Sequence, residues 1–210
     1  MFKDRKQAGQ MLAERLTRYR GKGALVLGLP RGGLAVARPI ADALDLPLDI
    51  VVARKIGAPG NEEFAIGAVT ARGTRVLNER VLREMILPPG YLEKETEKQR
   101  LMAVRREADL RGGRSMASVE GKIALLVDDG IATGMTVRAA IADLRLLNPS
   151  SLVVVAPVVA PGTLEVLKSL ADEVVALDSP EYFYAIGQFY LEFPQVSDEE
   201  AKLLLEGSIR

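Results

Sequence analysis

Short runs of Val, Ile, Leu and Ala alternate along the chain with longer segments whose apolar residues recur at helical spacing. Buried parallel strands read as continuous apolar runs and are joined by helical crossovers, so this rhythm predicts an α/β fold: a parallel sheet covered by helices. Residues 23–28 read as the first strand, 34–44 as a helix and 48–56 as the next strand, each bounded by Gly or Pro. Residues 64–69 and 74–78 flank Ala71-Arg72-Gly73, which predicts a hairpin rather than a crossover. A buried strand at 122–128 is followed by a helix at 136–147. Strands at 152–159 and 173–177 flank a helix at 163–171, and 198–205 forms a tail helix. Residues 88–114 break the rhythm, being rich in Glu, Lys and Arg with no Gly between Gly90 and Gly112. The apolar positions Leu92, Leu101, Met102, Val104 and Leu110 are too sparse for a central element. A long solvated helix ending at Gly112-Gly113, inserted as an arm, is expected.

Composition narrows the chemistry. At 210 residues with 48% hydrophobic and 27% charged side chains, the chain can bury a core and is not disordered. Twenty-eight basic and 28 acidic residues cancel, giving no reason to expect nucleic acid as the main partner. Cysteine and histidine are both absent. Disulfides, thiolate nucleophiles, Ser-His-Asp triads and imidazole-bound zinc are thereby excluded, leaving carboxylates, Lys, Arg, hydroxyls, backbone dipoles and a borrowed cation. The first residues lack the apolar core of a signal peptide, and no run approaches the roughly 20 apolar residues of a membrane span, so a cytoplasmic protein is expected. Charge is uneven locally: residues 1–22 carry seven basic and two acidic side chains, residues 172–210 two basic and nine acidic. Such ends can attract one another or a second subunit, which allows a homodimer.

The densest chemical signal is Val127-Asp128-Asp129-Gly130-Ile131-Ala132-Thr133-Gly134-Met135-Thr136, where an apolar strand ends in two carboxylates and a small-residue turn opens a helix. Gly130, Ala132 and Gly134 let backbone amides approach a ligand, Thr133 and Thr136 offer hydroxyls, and the helix start adds a positive dipole end, the layout of a phosphate site. It is neither a Walker A loop nor a GxGxxG turn. Asp128 and Asp129 would repel a bare phosphate; they suit ribose hydroxyls or a magnesium ion held through water. The plain alternative is that Asp129 caps the next helix. Leu29-Pro30-Arg31-Gly32-Gly33 after the first strand is a second strand-to-helix turn, with Arg31 either at a ligand or merely solvated. Arg54 and Lys55 end the second strand where ligands bind in open α/β sheets, and alternation puts one of them, Lys55 by preference, over the site. Residues 182–193 hold six of the ten aromatic residues, including Tyr182, Phe183, Tyr184, Phe189 and Tyr190. They could stack on a planar base, or dock the acidic tail helix on the core.

Val127 to Thr136 resembles the phosphoribosyl-pyrophosphate (PRPP) signature of the type I phosphoribosyltransferases: a hydrophobic strand, two acidic residues, two variable positions, then Ala/Asp-Thr-Gly-x-Thr. The likeness, strongest with the bacterial stand-alone group, covers roughly residues 20–160. It implies a Rossmann-like core over about 20–177, an inserted arm over about 79–114 and a C-terminal hood over about 178–210, all in one domain. Asp128 and Asp129 are implied to bind the ribose hydroxyls, and Ala132, Thr133, Gly134, Met135 and Thr136 the 5-phosphate. Pro30, Arg31, Gly32, Gly33 and Lys55 are implied to hold pyrophosphate, with Mg2+ as cofactor and the hood aromatics lining the site of a nitrogenous acceptor. The family's mobile loop is matched in position by the arm's end, 104–114, which as a charged helix face needs no function. Gly130 stands where a bulky aliphatic residue is common, and Met135 where Gly or a polar residue is usual. Ala132 replaces the aspartate of oxopurine salvage enzymes, which weakens the case for hypoxanthine or guanine.

The implied reaction moves the 5-phosphoribosyl group from PRPP to a nitrogen acceptor through an oxocarbenium-like transition state, with Arg31 or Lys55 stabilising the leaving pyrophosphate. Two rivals remain: a PRPP sensor without turnover, which would share Asp128, Asp129 and Thr133, and a nucleotide-phosphate hydrolase, for which no water-activating metal cluster is visible.

Overall fold

The computed structural model describes residues 1–206. In chain order the elements are α1 (Arg5–Arg15), β1 (Ala24–Gly28), α2 (Gly32–Leu44), β2 (Leu48–Ile50), β3 (Ala53–Ala58), β4 (Asn61–Thr70), β5 (Arg75–Leu77), α3 (Glu79–Glu84) and α4 (Tyr91–Arg111). There follow β6 (Ile123–Val127), α5 (Met135–Arg145), β7 (Ser151–Val158), α6 (Pro161–Leu170), β8 (Glu173–Asp178) and α7 (Asp198–Glu206). Five parallel strands form the main sheet in the order β2-β1-β6-β7-β8, and β3-β4-β5 form a separate antiparallel sheet.

Both faces of the main sheet are covered, as its continuous apolar strands require. Ala24, Val26, Leu125, Val127, Val153 and Val155 point to one side, where they pack with α1, α2 and α7. The intervening Leu25, Leu27, Ala124, Leu126, Leu152 and Val154 point to the other, under α5 and α6. Each such side chain is almost wholly buried, and each Val or Leu among them stabilises the fold by about 1.5–3 kcal/mol. The order places β1 beside β6, so the turns leaving their carboxyl ends are neighbours.

The expected strand over 48–56 is two strands in two sheets. Ile50 still pairs with Gly28, and Val51 donates its N–H to the Gly28 carbonyl (3.2 Å). The Val52 carbonyl instead accepts from Ala71 (3.0 Å), so the chain swings into the small sheet. The expected hairpin is present as β4–β5, with β3 added to its other edge. α1 is an element beyond those the sequence pattern predicts. Asp4 caps it through Gln7 N–H (2.7 Å), and Ala8 and Leu12 repeat at four-residue spacing with Leu16 following one turn later, all buried.

The polar segment forms α4, which α3 precedes, with Gly112 ending α4 in a left-handed conformation (φ 58°). Leu101, Met102 and Val104 remain exposed, while Gln99, Ala103, Leu110 and Arg111 are buried. Arg111 ties the arm to the main sheet: Nε donates to Asp49 Oδ1 (2.9 Å) and Nη2 to the Ile50 carbonyl (2.6 Å), while Ala117 N–H reaches Asp49 Oδ2 (2.6 Å). The complementary ends of the chain meet within one molecule, where Arg18 pairs with Glu173 and Tyr19 donates to the same carboxylate (2.6 Å). Among the described residues no helix is long and apolar enough to cross a membrane.

Candidate functional site

β1 and β6 deliver two turns to one edge of the sheet. The first, Pro30-Arg31-Gly32-Gly33, contains a cis Pro30–Arg31 peptide and opens α2. The second runs from Asp128 to Gly134, whose left-handed backbone (φ 69°) opens α5. The turns are pressed together. A Cβ on Gly32 would stand 1.9 Å from Asp129 Oδ2, and one on Gly33 would stand 2.7 Å from the Val127 carbonyl and 3.1 Å from Asp128 Cα. Two residues without side chains are therefore what lets the first turn lie on the two carboxylates.

Asp128 and Asp129 are partly buried, and the Asp128 Oδ1 accepts the Asp129 N–H (2.9 Å). Burial, and then repulsion from Asp129, push the Asp128 carboxyl well above the usual carboxylate range. Burial also raises Asp129, but Arg5 opposes it. Arg5 Nε donates to Asp129 Oδ2 (2.7 Å), Nη1 donates to the Pro194 carbonyl (2.7 Å), and the guanidinium lies 3.7 Å from the centroid of Phe193. Asp129 does not cap α5: Gly134 occupies the cap position and no side chain bonds there. Sequence reading missed Arg5, which is 124 residues from its partner.

In the second turn Thr133 is exposed, Ala132 and Thr136 are half-buried and Met135 is buried against Ala68 and Ala139, so Met135 can offer a ligand only its backbone. Thr163 Oγ1 braces the turn by donating to the Ala132 carbonyl (2.5 Å). The first-turn amides of α5 have no intrahelical acceptor, and no side chain caps them. Gly130 has a local reason: a Cβ there would meet Ile186 Cγ2 at 2.5 Å, so a hood residue fills the space of a bulky side chain.

A cleft of about 270 Å3 opens beside these turns, lined by Pro30, Arg54, Lys55, Arg106 and Thr136 among others. It brings both strand-end cations to one rim, where alternation predicted one. β3 is an edge strand, and both long side chains reach round it. Lys55 Nζ lies 3.7 Å from Glu63, and Arg54 Nε donates to Gln99 Oε1 (2.7 Å). Arg31 has Asp198 of α7 at 3.6 Å.

The hood aromatics divide. Phe183 and Phe189 pack on each other (5.0 Å between centroids), and Tyr190 is buried between Phe2 and Phe193. Tyr190 donates its hydroxyl to the Asp129 carbonyl (2.6 Å), and burial and the nearby Asp129 charge push its ionisation far up, so it stays a donor. Tyr182 and Tyr184 are 71% and 86% exposed. These rings do not dock the tail helix, the plainer of the two expectations. α7 instead seats Ala201 and Leu205 in the cluster formed with α2 and the end of α4.

Comparison with known proteins agrees with this geometry. The family model of the phosphoribosyl transferase domain matches residues 3–194. The chain is 41% identical over 210 residues to two proteins of Mycobacterium tuberculosis provisionally named phosphoribosyl transferases, and it spans about half of their length, 47%. The crystal structure of TT1426 from Thermus thermophilus superposes with a TM-score of 0.82 at 43% identity, covering 99% of this chain and 98% of that one. A purine phosphoribosyltransferase from Pyrococcus horikoshii shares the fold at a TM-score of 0.50 and 18% identity, over 92% of each chain. Two carboxylates at the end of β6, a glycine turn resting on them, and a family match running through both make this chain a member of the phosphoribosyl transferase family.

Proposed function

We propose that the protein transfers the 5-phosphoribosyl group of PRPP to a nitrogen acceptor of the nucleobase class and releases pyrophosphate. The observation that carries this reading is the close approach of Gly32 to Asp129, which sets a carboxylate pair against a cation-bearing turn at one edge of the sheet. In it Asp128 and Asp129 accept the ribose 2- and 3-hydroxyls. The backbone from Ala132 to Thr136, with the Thr133 and Thr136 hydroxyls, cradles the 5-phosphate. Pro30, Arg31, Gly32, Gly33 and Lys55 hold the pyrophosphate. Tyr182 and Tyr184 are the exposed rings available to stack on a planar acceptor, while Phe183, Phe189 and Tyr190 keep the hood in place.

The acceptor nitrogen forms a bond to the anomeric carbon as the carbon–oxygen bond to pyrophosphate breaks, the bonding pair leaves on pyrophosphate, and the nitrogen's proton passes to solvent. Positive charge grows on the sugar beside Asp128 and Asp129, and negative charge grows on the leaving group beside Arg31 and Lys55, so fixed charges match both ends of the transition state. Arg5 holds Asp129 in place, and the Tyr190 hydroxyl holds its backbone. Among the described residues no group of three or more carboxylates gathers to bind a metal alone. Two adjacent carboxylates, one of them paired with Arg5, fit Mg2+: Asp128 and Asp129 would hold it through water, and it would neutralise diphosphate charge.

The test is calorimetric titration of PRPP with Mg2+ into the wild type and Asp129→Asn, followed by a panel of nucleobases assayed for nucleotide and pyrophosphate. Binding weakened about 10- to 100-fold in a folded variant is expected from losing a charge-assisted hydrogen bond. Unchanged affinity would remove the ribose assignment, and binding without pyrophosphate release for any acceptor would remove turnover in favour of sensing.

A further inference from the structure

One stack of side chains holds Asp129 at both of its polar ends. Phe193 lies between the Tyr190 ring, 4.8 Å away between centroids and inclined by 29°, and the Arg5 guanidinium, 3.7 Å from its own centroid. Both neighbours reach the same residue. The Tyr190 hydroxyl donates to the Asp129 carbonyl (2.6 Å), and Arg5 Nε donates to Asp129 Oδ2 (2.7 Å). Phe193 is thus the middle of a clamp whose jaws close on Asp129, a ring that itself offers the carboxylate no hydrogen bond.

The hood and the start of the chain align the jaws. Phe2 N–H donates to the Phe189 carbonyl (2.7 Å), Leu191 N–H to the Phe2 carbonyl (2.8 Å) and Glu192 N–H to the Lys3 carbonyl (2.9 Å). Arg5 Nη1 is tied to the Pro194 carbonyl (2.7 Å), and the Phe2 ring packs on Tyr190 at 5.4 Å between centroids. Gly187 leaves room for the central ring, since a Cβ there would stand 3.2 Å from Phe193 Cδ1. Asp129 needs this support because it lies beyond Val127, the last residue of β6 paired to β1 and β7, and is followed by Gly130.

We infer that Phe193 is a positioning residue for the ribose subsite, aiming Arg5 and Tyr190 so that Asp129 meets the ribose hydroxyl in one fixed orientation. The hood then serves the donor side of the site as well as the acceptor side, and residues 2–5 belong to the donor site with it. This deepens, and rests on, the reading that Asp129 accepts a ribose hydroxyl. A carboxylate that turns freely must be ordered when the sugar arrives, whereas one already clamped loses little further freedom. Arg5 Nε takes Oδ2, and a carboxylate has lone pairs to spare for a hydroxyl.

Ribose 5-phosphate and inorganic pyrophosphate, each with Mg2+, serve as separate probes titrated into the wild type, Phe193→Leu, Phe193→Tyr and Arg5→Lys. Phe193→Leu keeps an apolar side chain but loses the stacking on both sides. It is expected to weaken ribose 5-phosphate about three- to tenfold and leave pyrophosphate within about twofold. Phe193→Tyr keeps the ring and is expected to stay within about twofold of the wild type for both probes. Arg5→Lys can meet Asp129 but cannot also hold the Pro194 carbonyl and lie flat on the ring, so it is expected to match Phe193→Leu, and it decides the matter should Phe193→Leu fail to fold. Equal weakening of both probes would make the ring merely structural and overturn the proposal. Wild-type ribose 5-phosphate affinity in the folded Phe193→Leu or Arg5→Lys variant would overturn it too, while leaving the ribose assignment intact. A wild type that does not bind ribose 5-phosphate would overturn that assignment itself, and this proposal with it.

Discussion

Arg5→Met isolates the cation that pairs with the carboxylate pair. Its guanidinium and the Asp129 carboxylate are 10% and 13% exposed, close to a buried ion pair, and the contact is 2.7 Å. Breaking a buried pair by removing one partner costs about 3–5 kcal/mol, because a desolvated charge is left unmatched. Some solvent access argues for the lower end, and losing the stacking on Phe193 adds about 0.5–1 kcal/mol, so about 3–4 kcal/mol is expected at pH 7. That is a large part of the roughly 5–15 kcal/mol of a typical domain. The deficit has a diagnostic pH dependence. Burial already holds the Asp129 carboxyl above its ordinary value with Arg5 pulling it down, so removing Arg5 raises it further. A carboxyl with a raised folded-state pKa favours folding below its unfolded value, about 3.9, and loses that contribution as pH rises through the folded value. The difference between variant and wild type should therefore shrink towards the stacking loss alone near pH 4. Urea denaturation at pH 7 and pH 4 measures it, and a cycle with Asp129→Asn, which removes the stranded charge, should recover about 2 kcal/mol or more. A deficit of the same size at both pH values, or one below about 1 kcal/mol at pH 7, would refute the reasoning.

Gly32→Ala should fold yet lose most PRPP affinity by calorimetry, because its Cβ would fall 1.9 Å from Asp129 Oδ2 and force the turn off the carboxylates. Arg111→Met should lower stability by about 3 kcal/mol in denaturant titration, since it strands buried Asp49 and the Ile50 carbonyl together. Asp172 is held below the usual carboxylate range chiefly by Arg145, and its contribution is present above the unfolded pKa and lost as pH falls through the folded one. Asp172→Asn should therefore cost stability at pH 7 but not near pH 2, and by less than about 1 kcal/mol because the pair is exposed. Tyr182→Ala and Tyr184→Ala should raise the acceptor's KM while leaving PRPP affinity unchanged in calorimetry, because these rings are exposed.

The turns at the ends of β1 and β6 were legible in sequence because each combines an apolar run with a local chemical oddity, Pro-Arg-Gly-Gly or Asp-Asp-Gly. The division of 48–56 was not. Leu48 to Ile56 contains no Gly or Pro, and the chain changes sheets because Val51 and Val52 find partners on β1 and beside β4, a choice made by tertiary contacts. α1 could have been found from Asp4 and the spacing of Ala8 and Leu12, but its exposed charges mask that narrow stripe. Arg5 and Asp198 lie beyond any local pattern. Both come from segments remote in sequence, and their pairing with Asp129 and Arg31 exists only once the sheet has ordered the turns.

The bond from Arg111 to Ile50 bears on how the molecule behaves in a crowd. β2 is a margin of the five-stranded sheet, and Ile50 turns its N–H and carbonyl away from β1, towards whatever might add there. The N–H is taken by Asp49 Oδ1 (2.7 Å) and the carbonyl by Arg111 Nη2 (2.6 Å). An open strand edge is a template on which a second chain can lengthen the sheet, the first step of many aggregates. Here two side chains occupy the edge at Ile50, so the arm's last turn acts as a stopper against edge-to-edge growth there.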